Sequence, residues 1–358
     1  MKQSAKNYKR IVVKIGSSLF YSAQNQLDFG VVEDLVAEIS GLVKEKTEVV
    51  VVSSGAIALG MSLLNLRSRP KELAYLQAAA AVGQNELMDI YRRLFKEKQL
   101  GCAQVLLTRE DLNERSRYLN AKNTLFALLK LGSVPVINEN DTVATEEIRF
   151  GDNDQLSALV ATLVACDLLI ILSDVDGLLA KDKKTVVKVI DRITPSVKAL
   201  ATTTGRNTSV GGMITKIEAA KVAVDSGIAC VIANGRHKGV ISSTVKEPGS
   251  LGTLFLPQGS CLAAKKRWIA FGTQPKGKII VDDGAKKALL NKKSLLSVGI
   301  TALEGGFECG DVVTITGQDN CEFARGKVCL SSKHLDKVKG RRSDKEVVHC
   351  DNIVVLSE

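Results

Sequence analysis

Two lysines stand beside glycine-rich segments that could hold a phosphate group. Lys14 interrupts the apolar run 11–15 and is followed by Gly16–Ser18, while Lys216 follows Gly211–Thr215. Small residues let backbone N–H groups approach a phosphate, and an ammonium group adds positive charge. A lysine inside a buried strand needs an anionic partner, so Lys14 forms either a structural ion pair or a phosphate contact, and we favour the phosphate. Lys216 taken alone is also compatible with an ordinary solvated helix lysine.

Carboxylate and amide side chains cluster between the two lysines in the sequence. Asp141 ends the segment NEND, and Asp152, Asn153 and Asp154 end the segment FGDND. Helix capping by Asp154 and a turn role for Asp152 are the plainer interpretations. A convergent acidic cluster can instead orient lysines or hold the ammonium group of a substrate, and this is the hypothesis we carry forward.

Several common catalytic motifs are missing from the sequence. It contains no GxxxxGK[ST], no GxGxxG, no HExxH and no GxSxG. The first two absences disfavour a P-loop NTPase, a nicotinamide-dependent Rossmann enzyme and a protein kinase. Eight cysteines are scattered without a CxxC pair and only three histidines accompany them, which favours reduced structural thiols over a zinc or redox site.

The candidate residues follow short apolar strands in a repeated order of strand, loop and helix. The predicted strands are 11–15, 49–52, 103–107, 134–137, 168–172 and 229–233. The predicted helices are 31–46, 73–98, 119–131, 155–166 and 213–226. This order predicts an α/β fold, a three-layer sandwich with a mainly parallel sheet and helices on both faces. Ligands of such sheets bind at the carboxyl ends of the strands, where the candidate residues lie.

The pattern changes after about residue 235. Residues 237–256 contain frequent glycine, serine and threonine and end at 257–260 (PQGS), and this whole region is predicted to be a linker. From residue 268 onward, short strands alternate with glycine turns, and a single helix is predicted over 284–291. We therefore expect two domains, residues 1–260 and a small, mostly β domain over 261–358.

Composition and charge narrow the class of protein. The 358 residues are 45% hydrophobic but only 4% aromatic, so aliphatic side chains must build the core. The sequence contains no apolar run of 18 residues, and the apolar residues 11–13 after its basic N-terminus stop at Lys14, too short for a secretory signal. These features predict a soluble, cytoplasmic protein. Half of the net charge of +10 falls in residues 265–358. A basic excess suits phosphate-bearing ligands or nucleic acid, although a lysine-rich solvated surface is the plainer interpretation.

Taken together, six segments resemble the amino acid kinase superfamily and, within it, the glutamate 5-kinase family. These segments are 14–18 (KIGSS), 52–56 (VSSGA), 138–141 (NEND), 150–154 (FGDND), 173–177 (SDVDG) and 211–216 (GGMITK), and 117–124 (RYLNAKNT) matches as well. In the second domain, 281–286 (VDDGAK), 294–296 (SLL), 299–300 (GI) and 307–312 (FECGDV) resemble a PUA domain. PUA domains bind RNA in other proteins, and bacterial members of the kinase family often carry one at the C-terminus.

The resemblance implies ATP-dependent phosphorylation of the γ-carboxylate of L-glutamate, giving γ-glutamyl phosphate in the first step of proline biosynthesis. A carboxylate with a pKa of about 4.3 is already ionised at neutral pH, so this reaction needs no general base. The absence of histidine from the motifs agrees with that chemistry. The task of the enzyme is to align two anions and to neutralise charge on the moving phosphoryl group.

The resemblance also implies a role for each candidate residue. Lys14 and Lys216 would contact the phosphoryl group from opposite sides, and Asp154 would hold both lysines. The glutamate-binding positions are Ser54, Asp141, Asn153 and, nearby, Asp152, with Asp141 pairing with the α-ammonium group. The ATP-binding positions are Lys14, Gly16, Ser173, Asp174, Val210, Gly211, Gly212, Met213 and Lys216. Gly16 and residues 53–55 would supply backbone donors, and Mg²⁺ would bridge the β- and γ-phosphates, held mostly by ATP and water.

Two alternative functions stay open at this point. One is a different kinase of the superfamily, acting on acetylglutamate, aspartate or uridylate, although FGDND and the PUA-like domain favour glutamate. The other is an RNA-binding protein that acts through its basic C-terminal domain. In the family implied by the resemblance, homo-oligomers (dimers or tetramers) and feedback inhibition by proline at the glutamate pocket are usual.

Overall fold

The computed structural model describes residues 8–22, 26–144, 153–202, 212–258, 264–341 and 346–356. The chain divides into two compact units, Met1–Ser260 and Cys261–Glu358. The first unit is an α/β sandwich around an eight-stranded sheet. Its strands are β1 (Arg10–Ile15), β2 (Glu48–Ser53), β3 (Gly101–Leu107), β4 (Ser133–Glu139), β5 (Leu168–Ser173), β6 (Val189–Ile190), β7 (Ala229–Asn234) and β8 (Thr253–Phe255).

The helices of the first unit connect these strands. They are α1 (Gly30–Lys44), α2 (Ala56–Leu63), α3 (Leu73–Glu97), α4 (Arg109–Asn113), α5 (Arg115–Lys130), α6 (Asn153–Val164), α7 (Pro195–Thr202), α8 (Met213–Asp225) and α9 (Val240–Lys246). The strand order is β3-β4-β2-β1-β5-β7-β8-β6. Strands β3, β4, β2, β1, β5 and β7 run parallel, and only the β7–β8 pairing is antiparallel among the described pairs. The predicted α/β architecture with a mainly parallel sheet is confirmed.

Side chains along the central strand β1 alternate between the two faces of the sheet. Ile11, Val13 and Ile15 belong to the apolar core that includes residues of α1 and α3. Because successive side chains of a strand point to opposite faces, Lys14 faces the other way. Lys14 contacts Asp154 in the first turn of α6, which lies on that second face. The charged groups thus lie on the face of the sheet opposite to that apolar core.

Helices α2 and α3 cross at unusually short range because both carry glycine at the crossing. A Cβ atom built on Gly60 would lie 1.7 Å from the carbonyl oxygen of Ala79, and one on Gly83 would lie 1.8 Å from that of Ala56. Neither position has room for any side chain. Since α2 begins directly after the segment that contains Ser54, this crossing helps to fix the end of β2.

The second unit is built mainly from short strands. Its elements are α10 (Ala264–Phe271), β9 (Lys278–Val281), α11 (Asp283–Leu290), β10 (Leu295–Leu296), β11 (Ile300–Glu304), β12 (Val312–Thr316), β13 (Glu322–Lys327), α12 (Ser332–Val338), β14 (Glu346–Val348) and β15 (Ile353–Val355). Five strands form a sheet in the order β11-β9-β12-β13-β15, and β10 pairs with β14. A separate apolar core lies within this unit and includes Ile279, Val313 and Ile315.

Two expectations about the C-terminal third are wrong. Residues 237–256 are not a linker, because they contain α9 and the strand β8, which pairs with β7 in the main sheet. The second unit also has three helices among its described residues rather than one, since α10 and α12 accompany α11. Glycine and serine turns around short elements concealed both α9 and β8 in the sequence.

Two further findings bear on the class of protein. None of the seven described cysteines is paired in a disulfide. Cys261 lies outside the described residues. Among the described helices, none combines the length and apolar character that crossing a bilayer requires.

Candidate active site

Four neighbouring parallel strands end at one edge of the sheet and bring the predicted site residues to that edge. Lys14 is the penultimate residue of β1, Ser54 follows β2, Asp141 follows β4, and Ser173 ends β5. Strands β4, β2, β1 and β5 are adjacent in that order. The carboxyl edge of a parallel sheet is where ligands bind in open α/β folds, so the topology alone collects these side chains into one candidate site.

Asp154 joins the two lysines. Its Oδ1 lies 2.7 Å from Lys14 Nζ, and its Oδ2 lies 3.2 Å from Lys216 Nζ. The side chains are 3% exposed for Asp154 and 7% exposed for each lysine. Lys14 comes from the central strand and Lys216 from the first turn of α8, so elements far apart in the sequence meet on one carboxylate. The capping interpretation of Asp154 does not account for these contacts.

The two ammonium groups set the ionisation of Asp154. Burial raises the pKa of a carboxyl group, but the nearby charges and hydrogen bonds of Lys14 and Lys216 outweigh burial and lower the pKa of Asp154 to about 2. Asp154 is therefore ionised throughout the physiological range. An ionised carboxylate in this position attracts both ammonium groups and directs them to the same place.

Thr215 is a further member of this cluster that the sequence analysis did not select. Its hydroxyl oxygen lies 3.0 Å from Asp154 Oδ2 and 2.9 Å from the carbonyl oxygen of Gly212. Residues 215 and 216 are adjacent in the first turn of α8, so one helix end supplies two donors to Oδ2. A hydroxyl residue directly before a candidate catalytic lysine is the sequence signal that could have identified Thr215.

A second cluster of polar side chains lies beside the lysines, built from amides and a hydroxyl. Asn153 Nδ2 donates to Ser54 Oγ and to Asn138 Oδ1, both at 3.0 Å. Asn153 is adjacent to Asp154 in α6, so the two clusters share one helix turn. Asn153 Oδ1 is buried and has no hydrogen-bond partner among the described residues. An unsatisfied buried acceptor beside two lysines suggests a donor group of a ligand.

Asp141 lies in the turn after β4, three residues beyond Asn138. Burial raises the pKa of Asp141 to about 6, although the nearby Arg69 lowers it. A partly buried carboxylate with a raised pKa is suited to pair with a cationic group of a ligand, because such a partner would restore the ionised form.

One expectation about Gly16 needs correction. Its N–H donates to the carbonyl oxygen of Leu172 at 2.9 Å, and the N–H of Ser54 donates to the carbonyl oxygen of Ile15 at 3.0 Å. These two groups are therefore not the backbone donors that we expected for a phosphate. A Cβ atom on Gly16 would lie 3.0 Å from the backbone oxygen of Leu172, so glycine favours the close approach of the chain to the end of β5. The helical turn Ser17–Phe20 follows, and the first N–H groups of such a turn have no partner within it.

The remaining nucleotide-binding candidates lie at the ends of β5 and before α8. Ser173 is 4% exposed, and its hydroxyl oxygen has no hydrogen-bond partner among the described residues. Asp174 is exposed beside it. Gly212 caps the N-terminus of α8 and Met213 is its first residue. The other predicted site residues, Asp152, Val210 and Gly211, lie outside the described residues.

The candidate site has no cluster of ligands for a metal ion among the described residues. Across the described residues, the side chains close enough together to hold a metal ion are His349, Cys350 and Asp351, which belong to the second unit. The buried carboxylate at the sheet edge, Asp154, is bound to two ammonium groups. The described residues thus do not fit a protein-held Mg²⁺ ion.

Comparison with known proteins adds to this geometry. The sequence model of the amino acid kinase family matches residues 9–234, and that of the PUA domain matches residues 277–350. Glutamate 5-kinases of Pelobacter propionicus and Caldanaerobacter subterraneus subsp. tengcongensis are each 44% identical to the chain, over 97% of this chain and 98% of the relative. The glutamate 5-kinase of Syntrophotalea carbinolica is 45% identical over 97% of both chains. Among solved structures, UMP kinase from Bacillus anthracis is 15% identical with a TM-score of 0.47, covering 72% of this chain and all of that one.

The three glutamate 5-kinases match nearly the whole length of the chain. The chain belongs to the amino acid kinase family and, within it, to the glutamate 5-kinases, and it carries a C-terminal PUA domain. The resemblance predicted from the sequence is confirmed.

Proposed function

We propose that the protein transfers the γ-phosphoryl group of ATP to the γ-carboxylate of L-glutamate, which makes it a phosphotransferase of proline biosynthesis with a carboxyl group as acceptor. The observation that carries this proposal is the meeting of Lys14 and Lys216 on the buried carboxylate of Asp154 at the carboxyl edge of the sheet. The relatives named glutamate 5-kinase support the choice of acceptor.

The chemistry follows from the charges at the site. An oxygen of the ionised γ-carboxylate attacks the γ-phosphorus, the bond to the bridging oxygen of ADP breaks, and no proton has to move. Negative charge on the transferring group is the main obstacle, and preorganised ammonium groups in a buried site stabilise it strongly. Lys14 and Lys216 are these groups in our proposal. Asp154 is a positioning residue, since it binds the lysines.

Glutamate recognition falls to the second polar cluster. Asp141 pairs with the α-ammonium group, and Asn153 Oδ1, which has no partner in the described structure, accepts a hydrogen bond from the same group. The Ser54 hydroxyl accepts from Asn153 and retains its own hydrogen, which can be donated to a carboxylate. Asp152 stays a predicted member of this pocket.

The nucleotide is assigned to the neighbouring strand ends. Ser173, Asp174, Gly212 and Met213 would border the nucleotide, and Gly16 would let the phosphates lie close to β1 and β5. Val210 and Gly211 stay predicted members of this site. Mg²⁺ would arrive as part of the MgATP substrate, held by the phosphates and water rather than by a set of side chains.

Substitution of the lysines tests the proposal. Lys14→Ala and Lys216→Ala should each lower kcat by at least ~10²-fold through lost electrostatic stabilisation, measured by trapping the acyl phosphate as a hydroxamate. Lys221→Ala is the matched control, because Lys221 lies on the same helix as Lys216 but pairs with Asp225 at 2.7 Å rather than with Asp154. Near-normal turnover of either active-site variant would remove that lysine from the catalytic set.

A panel of acceptors separates glutamate from the alternative substrates. Glutamate, N-acetylglutamate, aspartate and UMP are offered with MgATP, and ADP release is measured for each. A kcat/KM highest for glutamate supports the proposal, and a higher value for any other acceptor contradicts it. Repeating the glutamate assay with proline tests feedback inhibition, and sedimentation tests assembly into dimers or tetramers. RNA binding by the PUA domain stays a prediction, tested by an electrophoretic shift at ~150 mM salt.

A further inference from the structure

A chain of three amide side chains runs from α3 into the glutamate pocket. Asn138 Nδ2 donates to Gln84 Oε1 at 2.7 Å, and Asn138 Oδ1 accepts from Asn153 Nδ2 at 3.0 Å. Asn153 Nδ2 also donates to Ser54 Oγ. Asn138 is 2% exposed and Asn153 is 9% exposed, so the hydrogen bond between these two amides is shielded from water. Gln84 is half-buried on α3 and lies outside the motifs that the sequence analysis selected.

The orientation of these amides is fixed at two points. The backbone N–H of Glu139 donates to Asn138 Oδ1 at 2.9 Å, and because an N–H can only donate, the atom that it meets must be the oxygen. The Asn138 nitrogen then faces α3 and needs an acceptor, which Gln84 Oε1 supplies. Asn153 must in turn direct its nitrogen at Asn138. Gln84 and Glu139 therefore determine which end of the Asn153 amide is free.

This orientation gives the pocket a defined polarity. Both hydrogens of Asn153 Nδ2 have acceptors, while Oδ1 has no partner among the described residues. The pocket thus offers an acceptor to the ligand at Asn153. A free ammonium group carries three donors, a positive charge and no acceptor, so it can satisfy this oxygen and other acceptors at once. An N-acyl group is uncharged, keeps a single N–H donor and brings a carbonyl acceptor into the pocket.

We propose that Gln84 is a positioning residue that acts through Asn138 to keep the Asn153 oxygen directed at the substrate, and thereby selects free glutamate over N-acylated glutamate. This inference rests on the proposed function and adds to it a specificity determinant outside the pocket. Without an acceptor at position 84, the buried Asn138 nitrogen is unpaired, and rotation of Asn138 to relieve this loss releases Asn153 from its fixed orientation.

The test compares substitutions that keep or remove the acceptor in the full-length protein. Gln84→Met keeps the length of the side chain but removes the acceptor, and we expect KM for glutamate to rise about tenfold, equivalent to about 1.4 kcal/mol. The value of kcat and KM for ATP should stay within twofold. The ratio of kcat/KM for glutamate to that for N-acetylglutamate should fall at least about tenfold. Gln84→Glu keeps an acceptor oxygen and should retain a KM for glutamate within about threefold of the wild type.

Controls separate this role from a general loss of stability. Gln104→Met makes the same chemical change at an exposed position of β3 and should leave every kinetic constant unchanged. If Gln84→Met does not fold, Gln84→Lys provides the same test, because lysine can only donate, and KM for glutamate must rise there while Gln84→Glu stays near the wild type.

The outcomes distinguish the inference from the function on which it rests. A wild-type protein that forms no hydroxamate from glutamate overturns the proposed function itself. A wild-type protein that does so, together with an unchanged KM for glutamate and an unchanged acceptor ratio in Gln84→Met, overturns the role of Gln84 alone. A tenfold rise in KM in Gln84→Glu also overturns it, since that variant retains the acceptor.

Discussion

Replacement of Asp154 by asparagine would remove the carboxylate that Lys14 and Lys216 both bind, while keeping almost the same shape. In the wild type, the two oxygens lie 2.7 and 3.2 Å from the two ammonium nitrogens. An amide offers one acceptor oxygen and no charge. Two buried ammonium groups would then face each other without the anion that holds them, and we expect both positioning and stability to suffer.

The pKa of Asp154 sets a scale for the loss of stability. The fall from 3.8 to about 2 corresponds to about 2 kcal/mol of unfolding free energy at neutral pH. Because the carboxylate is only 3% exposed, solvent screening reduces this figure little. Leaving a buried charge without its partner commonly costs about 3–5 kcal/mol. For Asp154→Asn we therefore expect a loss of about 2–5 kcal/mol, with kcat lowered at least ~10²-fold.

The pH dependence gives this prediction a second readout. The folded-state pKa of Asp154 lies below its unfolded value, so its stabilisation is complete above about pH 4 and is lost as the pH falls towards 2. Urea unfolding between pH 7 and pH 2.5 should show the free-energy difference between wild type and Asp154→Asn narrowing below pH 4. Asp225→Asn, which breaks a partly buried ion pair at the end of α8, is the control. It should lower the free energy of unfolding less than Asp154→Asn does and leave kcat unchanged.

One result would refute the reasoning. If Asp154→Asn folds with a free energy of unfolding within about 1 kcal/mol of the wild type and retains kcat within threefold, the carboxylate does not position the lysines. In that case, the close contacts of Asp154 with Lys14 and Lys216 would have no catalytic meaning.

Three further outcomes are expected. Because burial raises the pKa of Asp141 to about 6, KM for glutamate should fall as the pH rises through that value. Asp141→Asn should abolish this pH dependence and raise KM for glutamate far more than KM for ATP. Equal effects on both KM values would contradict an ammonium-binding role. Gly83→Ala should destabilise the protein by about 3 kcal/mol or more in urea unfolding, because the new Cβ would overlap the backbone of Ala56. Gly41→Ala should instead stabilise it by about 0.5–1 kcal/mol, since Gly41 lies inside α1 with open space around its Cβ position.

The sequence predicted the sheet well because its strands are buried runs of β-branched and aliphatic residues. Strand β5 is apolar up to Ser173, and β1 is apolar from Ile11 to Ile15 apart from Lys14. Short elements were harder to predict. The three-residue strand β8 and the helix α9 carry too few apolar residues to show a period, and it is pairing with β7 that makes β8 a strand.

Charged residues of the candidate site were easier to select from the sequence than Gln84 and Thr215. Lys14, Lys216 and Asp154 attract notice because their charges are costly to bury. Gln84 and Thr215 are common surface residues, and their placement becomes visible only once helices α3 and α8 are packed on the sheet. The backbone donor role expected for Gly16 was wrong because sequence does not reveal that its N–H pairs with Leu172.

The glycine crossing of α2 and α3 restricts how the protein can move. Gly60 packs against Ala79 and Gly83 packs against Ala56, so the two helix backbones are in direct contact at the crossing. Sliding one helix along the other by one helical turn, about 5.4 Å, would place a residue with a side chain where each glycine now lies. Shear between these helices is therefore blocked, and the pair must travel as one body. Ser54 lies just before α2, and Gln84 directly follows Gly83 in α3. The distance between these two residues therefore stays constant when other parts of the pocket move.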